Sequence, residues 1–242
     1  MTLSHDLHRN IFISILRAIY SDALLRSNLG FKGGTAAMLF YKLPRFSVDL
    51  DFDLLDYAKK EAVFHRLEQI LPQFGTVIDA RDKHYTLFFL LSYKKGERGL
   101  KVEISKRTME TSYELKNFLG ISMLVMSQKD MAANKIAALL TRKKFAARDM
   151  FDVWFFLKEN WPINEVLLKE RTGCSLAQAL KKAELIVKKV KPTELLAGLG
   201  ELLDNKQKAF MKGKLQDELI FQIKMHESTS RSAAAISPKI KN

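Results

Sequence analysis

Apolar residues recur at helical spacing from Leu7 to Leu25, with Ile11, Ile15, Ala18 and the Ala23/Leu24 pair on one side, and this predicts an amphipathic helix. Leu29 to Thr35 reads as a short strand that ends in the glycine turn Gly33-Gly34, and Ala36 to Tyr41 as the helix that follows, stopped by Pro44. Strict alternation from Phe46 to Leu54 predicts a strand. Tyr57 to Leu71 is helical again, with Val63, Leu67 and Ile70 on one face. Val77 to Ala80, Tyr85 to Tyr93 and Gly99 to Ser105 are strands, the last two joined by a turn over residues 94–99. After Thr111 the pattern turns helical. Ser127 with Asp130 has the form of a capping box opening a helix through Lys144. Further helices are expected over Ala147 to Glu159, Ser175 to Lys189, Thr193 to Leu203 and Lys206 to Met225, and the Ser/Ala/Pro/Lys tail from Glu227 is expected to be disordered. The reading is an α+β chain: a mixed α/β domain over 1–115, a helical domain over 116–226 and a tail over 227–242, with a cleft between the halves as the expected site.

Charge changes this picture more than bulk composition does. The chain carries 40 Lys+Arg against 27 Asp+Glu, a net charge of +13. Residues up to Glu110 hold 17 basic and 13 acidic side chains, and the remainder 23 and 14, so the excess is concentrated in the second half. Such a surface favours a polyanion, because phosphate neutralisation releases counterions. The single cysteine, Cys174, excludes an intramolecular disulfide and suits a reducing, cytoplasmic compartment. No apolar run reaches the roughly 18 residues that span a bilayer, and the first ten residues lack the apolar run of a signal peptide.

The sharpest chemistry lies in the strand over 46–54. Ser47, Asp49, Asp51 and Asp53 share one face, and Phe46, Val48, Leu50, Phe52 and Leu54 the other. Carboxylates gathered this way repel one another unless a cation sits among them, and a hard divalent ion with oxygen ligands suits the set. A solvated acidic edge strand is the competing reading. The Gly33-Gly34-Thr35 turn opens a helix, and glycines there let backbone N–H groups approach phosphate oxygens. Glu103 lies on the polar face of the strand over 99–105, either as a third acid for metal or proton, or as a solvated glutamate. Lys135 and Arg142, two turns apart, share one helical face that could neutralise phosphate or simply meet solvent. Phe151, Trp154, Phe155 and Leu157 read as core. His5, His8, His65, His84 and His226 show no metal-ligand spacing. The lysine pairs at 181–182 and 188–189, with Lys191, read equally as an RNA-facing patch or a solvated helix face.

Gly33-Gly34-Thr35 followed by Arg45-x-Ser47-x-Asp49-x-Asp51 resembles the polymerase-β-like nucleotidyltransferase superfamily. A second block, Lys135-x-x-Ala138 with Arg142 and then Arg148-Asp149-x-x-Asp152, narrows the resemblance to the AbiEii/AbiGii group, toxins of type IV toxin–antitoxin and abortive-infection systems. The resemblance spans residues 29 to 157. It implies a polymerase-β-like mixed sheet followed by a helical bundle. It implies that Asp49 and Asp51 bind magnesium, with manganese the alternative, and that Gly33, Gly34, Thr35, Arg45 and Ser47 meet the triphosphate. Lys135, with Arg142 and Arg148, would neutralise phosphate, and Asp149 or Asp152 would orient basic side chains or the acceptor. The expected activity is transfer of a nucleoside monophosphate from a nucleoside triphosphate to an acceptor hydroxyl, foremost the 3′ end of tRNA, with an antitoxin protein as partner and Glu103 completing the metal or base set. A protein or small-molecule acceptor such as an antibiotic, or a non-catalytic RNA-binding protein of the same fold, are the alternatives.

Overall fold

A computed structural model describes the backbone of residues 3–236 and the side chains of residues 3–228. In chain order it contains α1 (His5–Ser21), α2 (Ala23–Asn28), β1 (Leu29–Lys32), α3 (Gly33–Tyr41), β2 (Leu50–Leu54), α4 (Lys60–Ile70), β3 (Thr76–Lys83), β4 (Thr86–Ser92), β5 (Leu100–Ser105), β6 (Tyr113–Phe118) and β7 (Ile121–Met126). There follow α5 (Gln128–Thr141), α6 (Ala147–Lys158), α7 (Glu165–Thr172), α8 (Leu176–Lys189), α9 (Asn205–Gly213) and α10 (Leu215–Ile236). The chain divides into two units, Met1–Ser127 and Gln128–Asn242. The boundary expected after residue 115 would cut through β6, so it moves to Ser127, where the sheet ends.

The first unit is built on a seven-stranded mixed sheet in the order β3-β4-β5-β2-β1-β7-β6. β1 runs parallel to β7 and β2 parallel to β5, and the other neighbours are antiparallel. The alternation read in the sequence holds: Leu50, Phe52 and Leu54 are buried, while Asp51 and Asp53 on the other face are partly exposed. Phe12, Ile15, Leu16 and Ile19 of α1 join Phe31 and Phe52 in the core. The single helix expected over Leu7 to Leu25 is broken at Asp22. That side chain accepts the Leu25 N–H at 3.0 Å and so restarts the chain as α2, the usual competition of a short polar side chain with a continuing helix. The strand expected from Phe46 begins at Leu50, because the carbonyls of Val48 and Asp49 are taken by side chains instead of a neighbouring strand.

The β6–β7 hairpin was not expected. β6 carries mixed residues on both faces, which blurs its period. Its turn is marked only by Leu119 and Gly120, both at positive φ, with Asn117 Oδ1 accepting the Gly120 N–H at 3.2 Å.

All described regular elements of the second unit are helical, and α5 packs with α6, α7 and α8, and α10 with α6 and α8. Phe151, Trp154, Phe155, Leu157, Leu168, Leu180, Leu219 and Ile223 are buried there, so the aromatic run of α6 is core, as expected. α7, capped by the Asn164 side chain, has no counterpart among the helices that the sequence predicts. The helix expected over Thr193 to Leu203 reduces to two 3-10 turns, Pro192–Glu194 and Gly200–Leu202, because Gly198 at φ +67° interrupts it. The helix expected over 206 to 225 is two, divided after Gly213. The segment expected to be disordered from Glu227 continues α10 to Ile236, as its alanine-rich stretch allows, and residues 237–242 lie outside the described residues.

Candidate active site

The glycine turn and the acidic strand meet through close packing of backbone against side chain. β1 ends at Lys32 and α3 begins at Gly33, whose φ is +80°. A Cβ on Gly33 would come within 2.9 Å of Asp51 Cβ and 3.0 Å of its Cγ, so the carboxylate of Asp51 lies directly against this backbone. A Cβ on Gly34 would come within 2.7 Å of Arg45 Nη2 and 2.8 Å of Ser47 Oγ. Arg45 and Ser47, both buried, therefore converge on the first turn of α3, where N–H groups without intrahelical partners and the helix dipole favour an anion. Glycine is required at Gly33 for both space and conformation, and at Gly34 an added Cβ would push the ends of the Arg45 and Ser47 side chains away from the turn.

Thr35 is fully buried and its hydroxyl donates to the carbonyl of Asp49. Through this bond Thr35, which the resemblance places on the triphosphate, fixes the backbone that carries Asp49. His8, set aside in the sequence for lack of metal spacing, holds the same segment from the other side. Its Nε2 donates to the Val48 carbonyl at 2.8 Å, and its Nδ1 accepts from the Tyr93 hydroxyl at 2.6 Å. Burial lowers the pKa of His8, in keeping with a neutral ring in that tautomer. No spacing in the sequence joins residue 8 to residue 48, so this role was not legible there.

Strand register sets the remaining carboxylates. Asp51 pairs with Lys32 on one side and Glu103 on the other, and Glu103 pairs with Phe88. Asp53 pairs with Gly30 and Ser105. Asp53 is neutralised within the protein: Lys32 Nζ forms an ion pair with it, and the Tyr113 hydroxyl donates to its Oδ2 at 2.6 Å across the bare backbone of Gly30. Of the acids on this face, Asp51 and Glu103 thus stand side by side, with Asp49 two residues before Asp51. Among the described residues no three His, Cys, Asp or Glu side chains are gathered closely enough to hold an ion by themselves. The donor chemistry fits magnesium nonetheless, since that ion is usually held by one or two carboxylates together with substrate phosphates, and a turn shaped by glycine adjoins them.

In the second unit the residues of the other sequence block also meet. Lys135 Nζ lies 3.1 Å from Asp149 Oδ1 and 2.8 Å from Asp152 Oδ2, and Arg142 Nε lies 2.9 Å from Asp149 Oδ2. Asp149 and Asp152 are 1% and 0% exposed, Lys135 17% and Arg142 41%. The two buried carboxylates therefore orient the two cations, with the arginine reaching furthest into solvent. Arg148 sits partly exposed in the first turn of α6. Cys174 has Lys182 Nζ 3.0 Å from its sulfur, which lowers the thiol pKa. A cavity of about 680 Å³ in the first unit is lined by Arg17, Tyr20, Arg26 and the β6–β7 turn, and none of the acidic-strand residues line it.

The family model for the nucleotidyl transferase AbiEii toxin of type IV toxin–antitoxin systems matches residues 14–222. The chain belongs to this family. It is an AbiEii-type nucleotidyltransferase, and membership brings with it a nucleoside triphosphate substrate and an antitoxin partner. Solved structures agree on the fold. A Helicobacter pylori protein described as a nucleotidyltransferase is 22% identical, with a TM-score of 0.60 over 93% of this chain and 96% of its own. JHP933 from Helicobacter pylori is 21% identical, with a TM-score of 0.56 over 96% and 100%. MenT4, a nucleotidyltransferase toxin from Mycobacterium tuberculosis, is 18% identical, with a TM-score of 0.55 over 96% and 89%. Among curated proteins none matches. No described helix of this AbiEii-type chain is long and apolar enough to cross a membrane.

Proposed function

We propose that this AbiEii-type enzyme transfers a nucleoside monophosphate from a nucleoside triphosphate to an RNA hydroxyl, the 3′ end of tRNA foremost. The observation that carries the reading is the packing of Gly33 against Asp51 and of Gly34 against Arg45 and Ser47, which puts an anion-receptive turn beside an acidic strand. The Gly33–Gly34 backbone and the Arg45 guanidinium receive phosphate oxygens, and Ser47 adds a hydroxyl. Asp49 and Asp51 hold magnesium, with manganese able to replace it. Bound there, the ion supplies charge neutralisation for the triphosphate and activation of the acceptor hydroxyl. Glu103, one strand from Asp51, takes the proton of that hydroxyl or adds its oxygen to the ion's shell. The acceptor oxygen bonds to the α-phosphorus as the bond to the β-phosphate oxygen breaks, and pyrophosphate leaves. Lys135 and Arg142, braced by Asp149 and Asp152, take the phosphate-neutralising role that the resemblance implies. A nucleotide added to the 3′ end of tRNA blocks aminoacylation, a direct route to toxicity.

The test is incubation of the purified protein with magnesium, total tRNA and each α-labelled nucleoside triphosphate in turn, beside Asp49→Ala and Asp51→Ala. Label in tRNA that is absent with either variant, lost in chelator and restored by magnesium supports the reading. Label appearing only on protein would overturn the RNA acceptor. Transfer retained by Asp49→Ala would overturn the role of the carboxylates.

A further inference from the structure

The tip of the β3–β4 hairpin carries an exposed aromatic ring with cations around it, and its register ties it to the acidic strand. His84 and Tyr85 form the two-residue turn, and Tyr85 is 53% exposed. The Arg107 guanidinium lies over the Tyr85 ring at 4.6 Å from its centroid, and the His84 ring meets it edge-on at 4.2 Å. Lys83 Nζ lies over the Phe88 ring at 3.2 Å. The tip is anchored, since the Lys106 N–H donates to the Tyr85 carbonyl at 2.9 Å. The nearby acid, Asp82, is already satisfied by Lys60 and Lys106, which hold its carboxyl below the usual range. Among the described residues neither Lys83 nor Arg107 is in an ion pair, so both charges are available to a ligand.

This corner is continuous with the acidic face. Phe88 is the register partner of Glu103, itself the partner of Asp51, and Thr86 is the partner of Ser105, itself the partner of Asp53. Counted in strand spacings and residue rises, Thr86 lies roughly 12 Å from Asp51. An exposed ring, two unpaired cations and a short path to the reacting end together fit a single nucleic-acid strand: bases of any sequence stack on a ring, and phosphates follow the charge. The lysines of α8 make a poorer platform, because Lys188 is paired with Glu184 and Lys182 lies against Cys174, with no aromatic in that run.

Resting on the RNA-acceptor reading above, we propose that this hairpin corner binds the single-stranded end of the acceptor RNA, with a base stacked on Tyr85 and the flanking phosphates met by Lys83 and Arg107. The experiment is steady-state transfer to RNA by the full chain, with RNA and nucleoside triphosphate varied separately. Tyr85→Ala is expected to raise the KM for RNA about tenfold while leaving kcat and the KM for the triphosphate unchanged, and Tyr85→Phe to behave as wild type. The pair Lys83→Gln and Arg107→Gln is expected to flatten the log–log salt dependence of RNA binding by up to about two, whereas Lys189→Gln leaves KM alone. If the wild type labels RNA and Tyr85→Ala has an unchanged KM for it, the hairpin proposal is overturned and the acceptor reading stands. If the wild type labels no RNA, both fall.

Discussion

At the residue scale, the site rests on the absence of two Cβ atoms. Gly33 combines φ +80° with the Asp51 carboxylate against its backbone, whereas Gly120 has nearly the same φ, +79°, and open space around it. The pair separates backbone strain from displacement of the acid. Each substitution to alanine is expected to cost about 1–2 kcal/mol for the left-handed conformation. Gly33→Ala is expected to abolish transfer as well, and Gly120→Ala to retain it, as denaturant titration beside the labelling assay will read. His8 gives a second residue-level prediction. Burial lowers its pKa from the ordinary 6.5, so the unfolded chain binds its proton first as pH falls. The cost is absent well above pH 6.5 and grows below it, toward the folded value. Between neutral pH and about pH 5, the wild type should lose more thermal stability than His8→Gln. Equal losses in the two proteins would contradict a buried neutral histidine. Neither the Gly33–Asp51 contact nor the His8–Val48 bond can be read from spacing, since each joins residues that only the fold makes neighbours. What spacing did carry was the alternation that separates Asp51 and Asp53 from Leu50 and Phe52, because period-two burial is local.

At the element scale, legibility follows the strength of the period. α1, α4, β5, α6 and α8 have clean apolar faces and lie within a few residues of their expected bounds, whereas β6 sets Asn117 beside Tyr113 and Leu115 on one face and Phe118 beside Glu114 and Lys116 on the other, so neither face reads as apolar. That gap concealed the partner of Asp53: Tyr113 of β6 reaches it past Gly30, so an acid that looked equivalent to Asp51 is in fact committed to the protein. The α5–α6 pair shows the same limit. Lys135, Arg142, Asp149 and Asp152 were recognisable as a block, but their burial was not. Lys135 bridges two carboxylates that are 1% and 0% exposed, and removing one partner of such a buried set typically costs 3–5 kcal/mol, here taken as about that range. Lys135→Met is therefore expected to lower unfolding free energy by about 3–5 kcal/mol in addition to any effect on transfer. Unchanged stability in urea titration would show that the lysine is held only for a ligand, and the bracing role of the aspartates would be abandoned.

At the scale of the whole molecule, charge is distributed by unit. Met1–Ser127 holds 18 Lys+Arg and 14 Asp+Glu, a balance of +4, and Gln128–Asn242 holds 22 and 13, a balance of +9. Much of the acid in the first unit is spent internally, as Asp53 on Lys32 and Asp82 on Lys60 and Lys106. Much of the base in the second is not neutralised by its own acids. A small cationic or neutral acceptor gains nothing from such a surface, whereas RNA releases counterions from it, and each phosphate met steepens the dependence on salt by a little under one logarithmic unit. The two acceptor classes therefore separate in a measurement that needs no knowledge of the acceptor's sequence. With tRNA as acceptor, binding by the catalytically inactive Asp49→Ala protein is expected to weaken by about a thousandfold or more between 50 and 200 mM salt if six or more phosphates are met. Binding that is indifferent to salt would set RNA aside and turn the net charge of +13 into a property of solubility alone.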